Sequence, residues 1–312
     1  MPQKILKAMR VYITERCNAS CPNCFNASSR QNTEMSIDTF SLLCQYLSEN
    51  GISILKVMGG EPSIHTEFKK IIEIAQSYFS NVVIFTNGLD KQIQSVKLRN
   101  SDSIVYNFTF NKSLSAEKLL LQQDGKRTFE IQVTNITNEN ELIDRIVYFS
   151  RLSENKIRIS LTLDCTSNIF KTKEIVVKKL QVIEKRLFEE NIHFSYDHKM
   201  PLCFLYKTGL HPNNSSLCEV ETSAVIDSNL NLRFCLQNPE KLVSLYQNGH
   251  FVPWSILLNH LYKKFYELRT TALGKICLDC VFFNKKCNGG CWIPKSNITK
   301  DDILNNTDFP LR

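Results

Sequence analysis

Short apolar runs alternate with longer amphipathic stretches over residues 1–200 of the chain. Such alternation is typical of βα units arranged around a parallel sheet or barrel. The apolar runs predict six strands, at Met9–Thr14, Ile52–Met58, Val82–Thr86, Ser103–Phe110, Phe129–Thr134 and Ile157–Leu163. We therefore expect an α/β fold in this part of the protein.

Two of the amphipathic stretches predict helices. The first begins at Ser36, a suitable N-cap, and stops at Gly51. Its apolar face is formed by Phe40, Leu43 and Leu47. The second presents a single apolar stripe with Lys and Glu residues opposite, which predicts the helix of the sixth βα unit. That stripe consists of Val176, Leu180, Ile183 and Leu187.

The pattern changes after Tyr196, where proline, asparagine and serine residues interrupt the chain and the βα alternation ceases. We place a domain boundary there, which gives a domain over 1–200 and a second over 201–312. In the second, Ala224–Ile226 and Leu232–Cys235 flank a polar turn and predict a hairpin. The stretch Trp254–Thr270 predicts a helix.

Composition is close to that of ordinary globular proteins, with 43% apolar and 22% charged residues in 312. No apolar run reaches the length of about 18 residues that a membrane span needs, and the N-terminus lacks the apolar stretch of a signal peptide. We expect a cytoplasmic protein without a membrane partner. The net charge of +7 is spread along the chain, which disfavours nucleic acid as a partner.

Twelve cysteines are the most unusual feature of the composition. In a reducing cytosol such cysteines indicate metal or cluster ligation in preference to disulfides. Cys17, Cys21 and Cys24 follow directly on the first predicted strand, and a tetrahedral zinc site would need a fourth ligand. Three cysteines on a [4Fe–4S] cube leave one iron open to a ligand. Unliganded thiols and a zinc site completed from afar stay open as alternatives.

The spacing CxxxCxxC after a first strand resembles the radical S-adenosylmethionine (SAM) superfamily. The resemblance covers the first 200 residues and implies a partial (β/α)6 TIM-like barrel, with SAM bound to the open iron of the cluster. Asn23 stands where that family usually has an aromatic residue near the adenine, and we expect Phe25 to supply some of this packing.

The segment Gly59, Gly60, Glu61 and Pro62 follows the second predicted strand, at the end where barrel active sites form. Its glycines allow a close approach of backbone to a ligand. An ordinary βα turn in which proline starts a helix is the alternative. The segment resembles the GGEP segment of the family, which binds the methionine amino group of SAM. Thr86 and Asn87, followed by a glycine, end the third strand in a similar way.

Further polar residues at the ends of the last three predicted strands are candidates for binding the SAM ribose or the substrate. A capping or solvated role is the alternative for each of them. They are Asn107, Thr109, Asn135, Ser160 and Asp164.

The C-terminal region holds a second group of cysteines: Cys203, Cys218, Cys235, Cys277, Cys280, Cys287 and Cys291. The last four have the spacing Cx2Cx6Cx3C, which suits metal ligands and is also typical of a zinc knuckle. Together with the N-terminal motif, the group resembles the SPASM extension of radical SAM enzymes, or its shorter twitch form. We therefore expect a small cysteine-rich domain of this kind with auxiliary [4Fe–4S] clusters. Purely structural staples are the alternative.

The resemblance assigns the cysteines to two auxiliary clusters. The first would use Cys291 with the two hairpin cysteines Cys218 and Cys235, and Cys203 as a further candidate. The second would use Cys277, Cys280 and Cys287, but no cysteine follows Cys291 to complete it. One or two clusters are therefore expected, with an open iron or a carboxylate as the missing ligand, the candidates being Asp301, Asp302 and Asp308.

Three further features complete the prediction. The hairpin turn has Asn229 and Asn231 where the family usually has glycine, and asparagine tolerates the left-handed backbone that the turn needs. Cys44, in the first helix, is expected to pack as a small apolar residue. Cys165 follows strand six and is a candidate hydrogen donor to a substrate radical, as in radical SAM epimerases, with a buried inert thiol as the alternative.

The resemblance implies an enzyme that cleaves SAM reductively and takes a hydrogen atom from its substrate. Because most SPASM-type relatives act on peptides, we expect maturation of a ribosomally made peptide by crosslinking, oxidation or epimerisation. A small-molecule dehydrogenase or epimerase of an aminosugar is the alternative, and a non-catalytic zinc or iron–sulfur protein is the third. Expected partners are SAM, the substrate, an electron donor such as flavodoxin or ferredoxin, and a separate peptide-recognition protein.

Overall fold

The structure is a computed structural model. It describes residues 6–21, 24, 32–108, 126–133, 137–152, 157–163, 170–196, 202–205, 207–210, 224–236, 240–271, 280, 301 and 305. Within these ranges, no helix is both long enough and apolar enough to cross a membrane.

The described elements begin with the predicted alternation of strands and helices. In chain order they are β1 (Ala8–Thr14), α1 (Ile37–Glu49), β2 (Ile54–Gly59), α2 (Phe68–Tyr78), β3 (Asn81–Thr86), β4 (Ser103–Phe108), β5 (Lys126–Val133), α3 (Glu139–Leu152), β6 (Ile157–Leu163), α4 (Lys173–Glu189), β7 (Phe194–Tyr196), α5 (Leu202–Leu205), β8 (Val225–Ile226), β9 (Asn231–Arg233), β10 (Lys241–Ser244), β11 (Tyr246–Gln247), β12 (His250–Phe251) and α6 (Trp254–Thr271). Short 3-10 turns occupy Pro62–Ile64 and Lys91–Ser95. All six predicted strands, both predicted helices, the hairpin and the last helix are confirmed, with small differences at their ends.

The chain folds as two compact units, the first formed by 1–128 and 219–265 and the second by 129–218 and 266–312. The first unit thus combines β1 to β4 with β8 to β12. This grouping differs from a division at residue 200, and that predicted domain boundary stays a prediction.

The sheet of the first unit has the strand order β10, β9, β8, β1, β2, β3, β4. The five strands from β8 to β4 run parallel, with Arg10 opposite Lys56 and Ile84 opposite Ile104. Strand β9 is antiparallel to both β8 and β10. Strands β11 and β12 form a separate antiparallel pair. The parallel core agrees with the predicted α/β fold.

Both faces of this parallel sheet are covered, as expected for strands joined by βα crossovers. Residues that alternate along β1 and β2 on one face are fully buried: Val11, Ile13, Leu55 and Val57. On the other face an apolar cluster contains Tyr12, Met58 and Val225, with Phe85 and Leu236 partly buried against it. The short apolar runs of the sequence therefore follow from the burial of both faces.

Helix α1 begins and ends as its sequence predicts. The Ser36 hydroxyl accepts a hydrogen bond from the Thr39 amide at 3.2 Å, which satisfies one of the free N–H groups of the first turn. Gly51 has φ of +83°, the left-handed conformation that terminates many helices. The predicted apolar face of α1 is fully buried. Cys44 is also buried there, so its prediction as a packed apolar residue is confirmed.

The second unit contains β5 from Phe129 onward, β6 and β7 in that order, with β6 and β7 parallel. Helices α3 and α4 contact each other, and an ion pair of 3.0 Å between Lys179 and Glu139 joins them. The stripe predicted for α4 is confirmed, because all four of its residues are buried.

A buried carboxylate holds the N-terminal ends of β3 and β4 together with α2. The Asp102 carboxylate accepts hydrogen bonds from the Val82 amide at 2.9 Å and the Gln76 side chain at 2.8 Å. Its ion pair with Arg99 is 2.8 Å long, and Arg99 also donates to the Gln76 and Phe79 carbonyls. Burial acts to raise the pKa of Asp102, but these hydrogen bonds hold that pKa below its ordinary value. We call these residues the Asp102 network.

Candidate active site at the carboxyl ends of β1, β2 and β3

Three segments follow the carboxyl ends of neighbouring strands in the first unit. They are the cysteine loop (residues 15–24, described at 15–21 and 24), the segment 59–62 after β2, and the segment 86–88 at the end of β3. In parallel βα folds this edge of the sheet carries the active site. Backbone and side-chain hydrogen bonds join the three segments.

The segment after β2 continues to pair with the chain beyond β1. The Gly60 amide donates to the Thr14 carbonyl at 2.9 Å, and the Glu61 amide donates to the Arg16 carbonyl at 2.8 Å. A Cβ atom placed on Gly60 would lie 2.2 Å from the Arg16 oxygen, and one on Gly59 would lie 2.4 Å from the Thr14 oxygen. The two glycines are therefore required by the chain that leads into Cys17.

Glu61 is the centre of a buried hydrogen-bond network. One carboxylate oxygen accepts from the Ser63 amide, the Ser63 hydroxyl and the Thr86 hydroxyl at 3.0, 2.6 and 2.7 Å. The other accepts from the Asn87 amide at 2.6 Å. Burial raises the pKa of Glu61, and these hydrogen bonds oppose the rise. We call Glu61, Ser63, Thr86 and Asn87 the Glu61 network; it joins the segments that follow β2 and β3.

Pro62 starts a 3-10 turn for which Glu61 is the N-cap. The alternative interpretation, a βα turn in which proline starts a helix, therefore describes the local backbone correctly. It does not exclude a ligand site, because the turn and the close approach to the cysteine loop occur in the same segment. A role of the segment in binding SAM stays a prediction.

Asn87 connects the Glu61 network to the cysteine loop. Its side-chain oxygen accepts from the Leu89 amide at 2.9 Å. Its side-chain nitrogen donates to the Asn18 side-chain oxygen at 2.8 Å and lies 3.9 Å from the sulfur of Cys17. Asn87, which follows the end of β3, therefore reaches Cys17.

A second set of contacts joins the start of the cysteine loop to residues 33–34 and 64. Arg16 forms an ion pair with Glu34 and donates to the Ile64 carbonyl at 3.0 Å. The Thr66 hydroxyl also donates to Glu34 at 3.2 Å. The Glu15 amide donates to the Thr33 carbonyl at 2.9 Å. Sequence reasoning missed Arg16 and Glu34, because no spacing pattern links residues that far apart.

The three cysteines of the motif are all partly exposed, and the Cys24 amide donates to the Cys21 carbonyl at 3.2 Å. Among the described residues, no group of three or more His, Cys, Asp or Glu side chains is suited to hold a metal ion. This absence refers to sites for a single metal ion. The thiolates of an iron–sulfur cube bind different irons and lie farther apart, so the cluster stays a prediction. The donor set fits it, since three accessible thiols are what such a cluster needs.

The predicted hairpin of β8 and β9 turns around Asp227. One oxygen of this carboxylate accepts from the Asn229 and Asn231 amides at 3.0 and 2.9 Å, and the other accepts two bonds from Arg233 at 3.0 and 3.2 Å. The left-handed residue is Leu230, with φ of +60°. The expectation that Asn229 or Asn231 would supply the left-handed backbone is therefore wrong. Asp227 holds the turn by accepting from the amides on both sides of Leu230.

The same hairpin is tied to the end of β1. The Ser228 and Thr33 hydroxyls lie 2.9 Å apart, and Arg233 lies 3.8 Å from the Glu15 carboxylate. Burial raises the pKa of Tyr12, and the nearby Glu15 acts in the same direction while Arg233 opposes it. Cys235, the cysteine that ends the hairpin, is partly exposed.

Five of the remaining candidates lie in the part of the chain that the structure describes. Asn107 is exposed on β4, Cys203 is partly exposed in α5, and Cys280 is partly exposed. Ser160 lies on β6 and Asp301 is exposed. The other candidates lie outside the described residues: Asn23, Phe25, Thr109, Asn135, Asp164, Cys165, Cys218, Cys277, Cys287, Cys291, Asp302 and Asp308.

Comparison with known sequences finds similarity in the same region. Residues 11–98 match the family described as the radical SAM superfamily. The chain is 33% identical over 87 residues to the sporulation killing factor maturation protein SkfB of Bacillus subtilis, which is 28% of this chain and 21% of SkfB. It is 32% identical over 108 residues to a probable GTP 3′,8-cyclase of Methanothermobacter marburgensis, 34% of this chain and 35% of the cyclase. The chain thus spans about a fifth of the length of SkfB and about a third of the length of the cyclase.

Comparison of folds extends the likeness over most of the chain. The crystal structure of Streptococcus suis SuiB bound to its precursor peptide SuiA is similar with a TM-score of 0.62 and 15% identity. The similarity covers 87% of this chain and 69% of SuiB. At this identity it shows the fold alone, an α/β architecture with a parallel sheet that is consistent with the predicted partial TIM-like barrel.

Proposed function

We propose that this chain is an enzyme that cleaves SAM reductively and modifies a ribosomally made peptide. The premise is that the chain belongs to the radical SAM superfamily through residues 11–98. The observation that carries the proposal is the connection of three strand ends at one site. There Asn87, held by Glu61, reaches the sulfur of Cys17.

The residues proposed to hold a [4Fe–4S] cluster are Cys17, Cys21 and Cys24. A cluster held there would supply the chemistry of reductive SAM cleavage: with one electron from a donor such as flavodoxin or ferredoxin, SAM would give methionine and a 5′-deoxyadenosyl radical, which would take a hydrogen atom from the substrate. Three cysteines leave an iron for SAM, whereas a zinc site would need a fourth protein ligand.

The protein's own groups around this site fix the backbone that would receive SAM. The Gly60 and Glu61 amides bond to the chain before Cys17, and the Glu61 and Pro62 carbonyls accept bonds from the amides of the turn that follows. We therefore assign the contact with a ligand to the carbonyl oxygens of the two glycines. A carbonyl oxygen accepts hydrogen bonds and suits the ammonium group of the methionine part of SAM. The Glu61 carboxylate is bonded to its own network, so we assign it to positioning the segment.

The peptide substrate is supported by two similarities. SkfB is named for maturation of a killing factor, and SuiB was crystallised with a precursor peptide. A probable GTP 3′,8-cyclase matches over a similar part of the chain, 34% against 28% for SkfB, so these local matches support shared SAM chemistry, and the peptide substrate is proposed from what the names of SkfB and SuiB say. We include a separate peptide-recognition protein in the proposal, and one or two auxiliary [4Fe–4S] clusters on the C-terminal cysteines.

The test of SAM cleavage is anaerobic reconstitution with iron and sulfide, followed by reduction and measurement of 5′-deoxyadenosine. The wild type should bind iron and release this product. Cys17→Ala, Cys21→Ala and Cys24→Ala should each abolish it. Cys44→Ala is the matched control, since that thiol is buried in α1 and should leave cleavage intact. Full iron loading without 5′-deoxyadenosine would contradict the proposal.

The substrate is tested separately. A short peptide gene beside the gene of this protein would supply a candidate, and co-expression should change the mass of that peptide. The change should be absent with Cys17→Ala. If a purified small molecule is consumed while no peptide is altered, the peptide part of the proposal is wrong and the SAM chemistry is retained.

A further inference from the structure

The Asn87 side chain has a defined orientation. Its oxygen accepts a hydrogen bond from the Leu89 amide at 2.9 Å, and a backbone N–H can only donate. The opposite end of the amide must therefore be the NH2 group. This assignment follows from the network of bonds around Asn87, since the two ends of an amide are otherwise hard to distinguish.

The NH2 group faces the cysteine loop. It donates to the Asn18 side-chain oxygen at 2.8 Å and lies 3.9 Å from the sulfur of Cys17, at the long end of a hydrogen bond to sulfur. An NH2 group has two hydrogens, so both contacts can be made at once. Asn87 therefore bonds to the Asn18 side chain and also contacts Cys17, a proposed cluster ligand.

Asn87 is itself held in place by the hydrogen bonds of the Glu61 network. Its backbone amide donates to Glu61 at 2.6 Å, the adjacent Thr86 hydroxyl donates to the same carboxylate, and only 7% of Asn87 is exposed. A donor fixed by several bonds does not have to reorganise when charge on the sulfur increases. This distinguishes Asn87 from a surface amide that happens to pass near a cysteine.

We infer that Asn87 is a positioning residue whose NH2 group, by donating to Cys17, raises the reduction potential of the cluster that Cys17 holds; this rests on the proposed function. Adding an electron increases negative charge on the cluster sulfurs, and a hydrogen bond to a ligand sulfur stabilises that charge. Loss of the donor therefore makes the cluster harder to reduce.

The experiment is a potentiometric titration of the reconstituted protein, with the reduced cluster followed by electron paramagnetic resonance. Asn87→Asp keeps an oxygen for the Leu89 amide and removes the donor, but it adds a charge, so the uncharged Asn87→Ser is measured beside it and should shift the potential in the same direction. We expect about a tenfold lower ratio of reduced to oxidised cluster at a fixed potential, a shift of about 59 mV to more negative values for one electron. Asn50→Ala is the control, because Asn50 caps α1 and its side chain bonds to the Tyr46 carbonyl.

A second variant separates the contact to sulfur from the placement of the loop. Asn18→Ala removes the other acceptor and leaves the donor facing Cys17, so the potential should not fall. An equal fall in Asn18→Ala and Asn87→Asp would overturn the inference, since loop placement would then explain both. An unchanged potential in Asn87→Asp with full iron would also overturn it.

The inference and the proposed function fail in different ways. If the wild type assembles no [4Fe–4S] cluster, both are wrong. If the wild type cleaves SAM and Asn87→Asp keeps the wild-type potential, only the inference is wrong. If Asn87→Asp and the milder Asn87→Ser both lose the cluster while Asn50→Ala retains it, Asn87 is required for assembly, and a role in setting the potential is rejected.

Discussion

Two buried carboxylates lie at opposite edges of the same parallel strands, and they are stabilised in different ways. Asp102, at the N-terminal edge, accepts bonds from two amides and a glutamine and is paired with the guanidinium of Arg99. Among the described residues, the partners of Glu61, at the carboxyl edge, are neutral amide and hydroxyl groups. Their pKa values consequently move in opposite directions.

The difference matches what each edge of a βα fold is used for. The Asp102 network joins α2 to the starts of β3 and β4, at the edge that serves stability in such folds. The Glu61 network joins the segments that follow β2 and β3 and, through Asn87, the cysteine loop. A charged partner beside Glu61 would stabilise its carboxylate but would bring a fixed charge next to the proposed SAM site. Neutral donors position the segments without that charge.

The largest effect on folding should come from Asp102→Ala. This change leaves the Val82 amide without its acceptor and removes the partner of Arg99. Breaking a buried ion pair costs about 3–5 kcal/mol, and we expect about 3 kcal/mol because Arg99 is partly exposed. The free energy of unfolding, measured by denaturant titration, should fall by this amount. SAM cleavage per folded molecule should stay close to wild type.

Asp38→Ala is the control for that variant, because Asp38 is an exposed acidic residue in the first turn of α1. It should cost less than about 1 kcal/mol. If Asp102→Ala instead abolished SAM cleavage in a folded protein, the assignment of this edge to stability would be wrong.

Gly60→Ala tests the carboxyl edge. The new Cβ atom would lie 2.2 Å from the Arg16 oxygen, so the backbone must move and the bond from the Glu61 amide to Arg16 must weaken. Overpacking of this kind costs about 1–3 kcal/mol, and we expect about 2 kcal/mol. SAM cleavage should be lost while the protein remains folded, which is the reverse of the Asp102→Ala result.

The control for Gly60→Ala is Gly51→Ala. Gly51 has φ of +83°, with nothing within 4 Å of an added Cβ atom. It should cost about 1 kcal/mol through backbone strain alone and leave SAM cleavage unchanged. Equal loss of cleavage in both glycine variants would mean that the site responds to general destabilisation and not to the contact with Arg16.

Some features of the fold and of the site could be predicted from the sequence, and others could not. The six strands and the helix α1 follow from local periodicity and from Ser36 and Gly51 at its ends, so they could be predicted. The partners of Glu61 on β3 are 25 and 26 residues away, and no local pattern links them. Likewise, the left-handed Leu230 depends on hydrogen bonds to Asp227 that residue preferences do not include.

A smaller effect is expected for Glu61→Gln. Each oxygen of Glu61 accepts from a backbone amide, Ser63 for one and Asn87 for the other. Whichever way the glutamine is turned, its NH2 group therefore meets an N–H that can only donate. An unsatisfied buried donor costs about 1–3 kcal/mol, and we expect about 1–2 kcal/mol here. A weaker binding of SAM, measured by equilibrium dialysis of the reconstituted protein, should accompany it.

Glu67→Gln provides a control for this variant, because Glu67 is exposed and makes no side-chain cap bond at the start of α2. It should leave both stability and SAM binding within error of wild type. If Glu61→Gln bound SAM as tightly as wild type, the Glu61 network would not position the segment 59–62.

The smallest and most discriminating effect is the dependence of stability on pH. A carboxyl whose pKa is lowered by folding contributes stability above its unfolded value of about 3.9 and loses it as the pH falls further. The difference in unfolding free energy between wild type and Asp102→Asn should therefore shrink as the pH falls below about 4.

Glu61 should show the opposite slope, because its pKa is raised by burial. A carboxyl of this kind binds its proton more tightly when folded, so its contribution is full below about 4.3 and is lost as the pH rises through the raised value. The difference between wild type and Glu61→Gln should shrink from pH 4.5 upward, measured by denaturant titration at each pH. Parallel slopes for the two variants would mean that neutral donors stabilise the Glu61 carboxylate as well as Arg99 stabilises Asp102, and the contrast between the two edges would be lost.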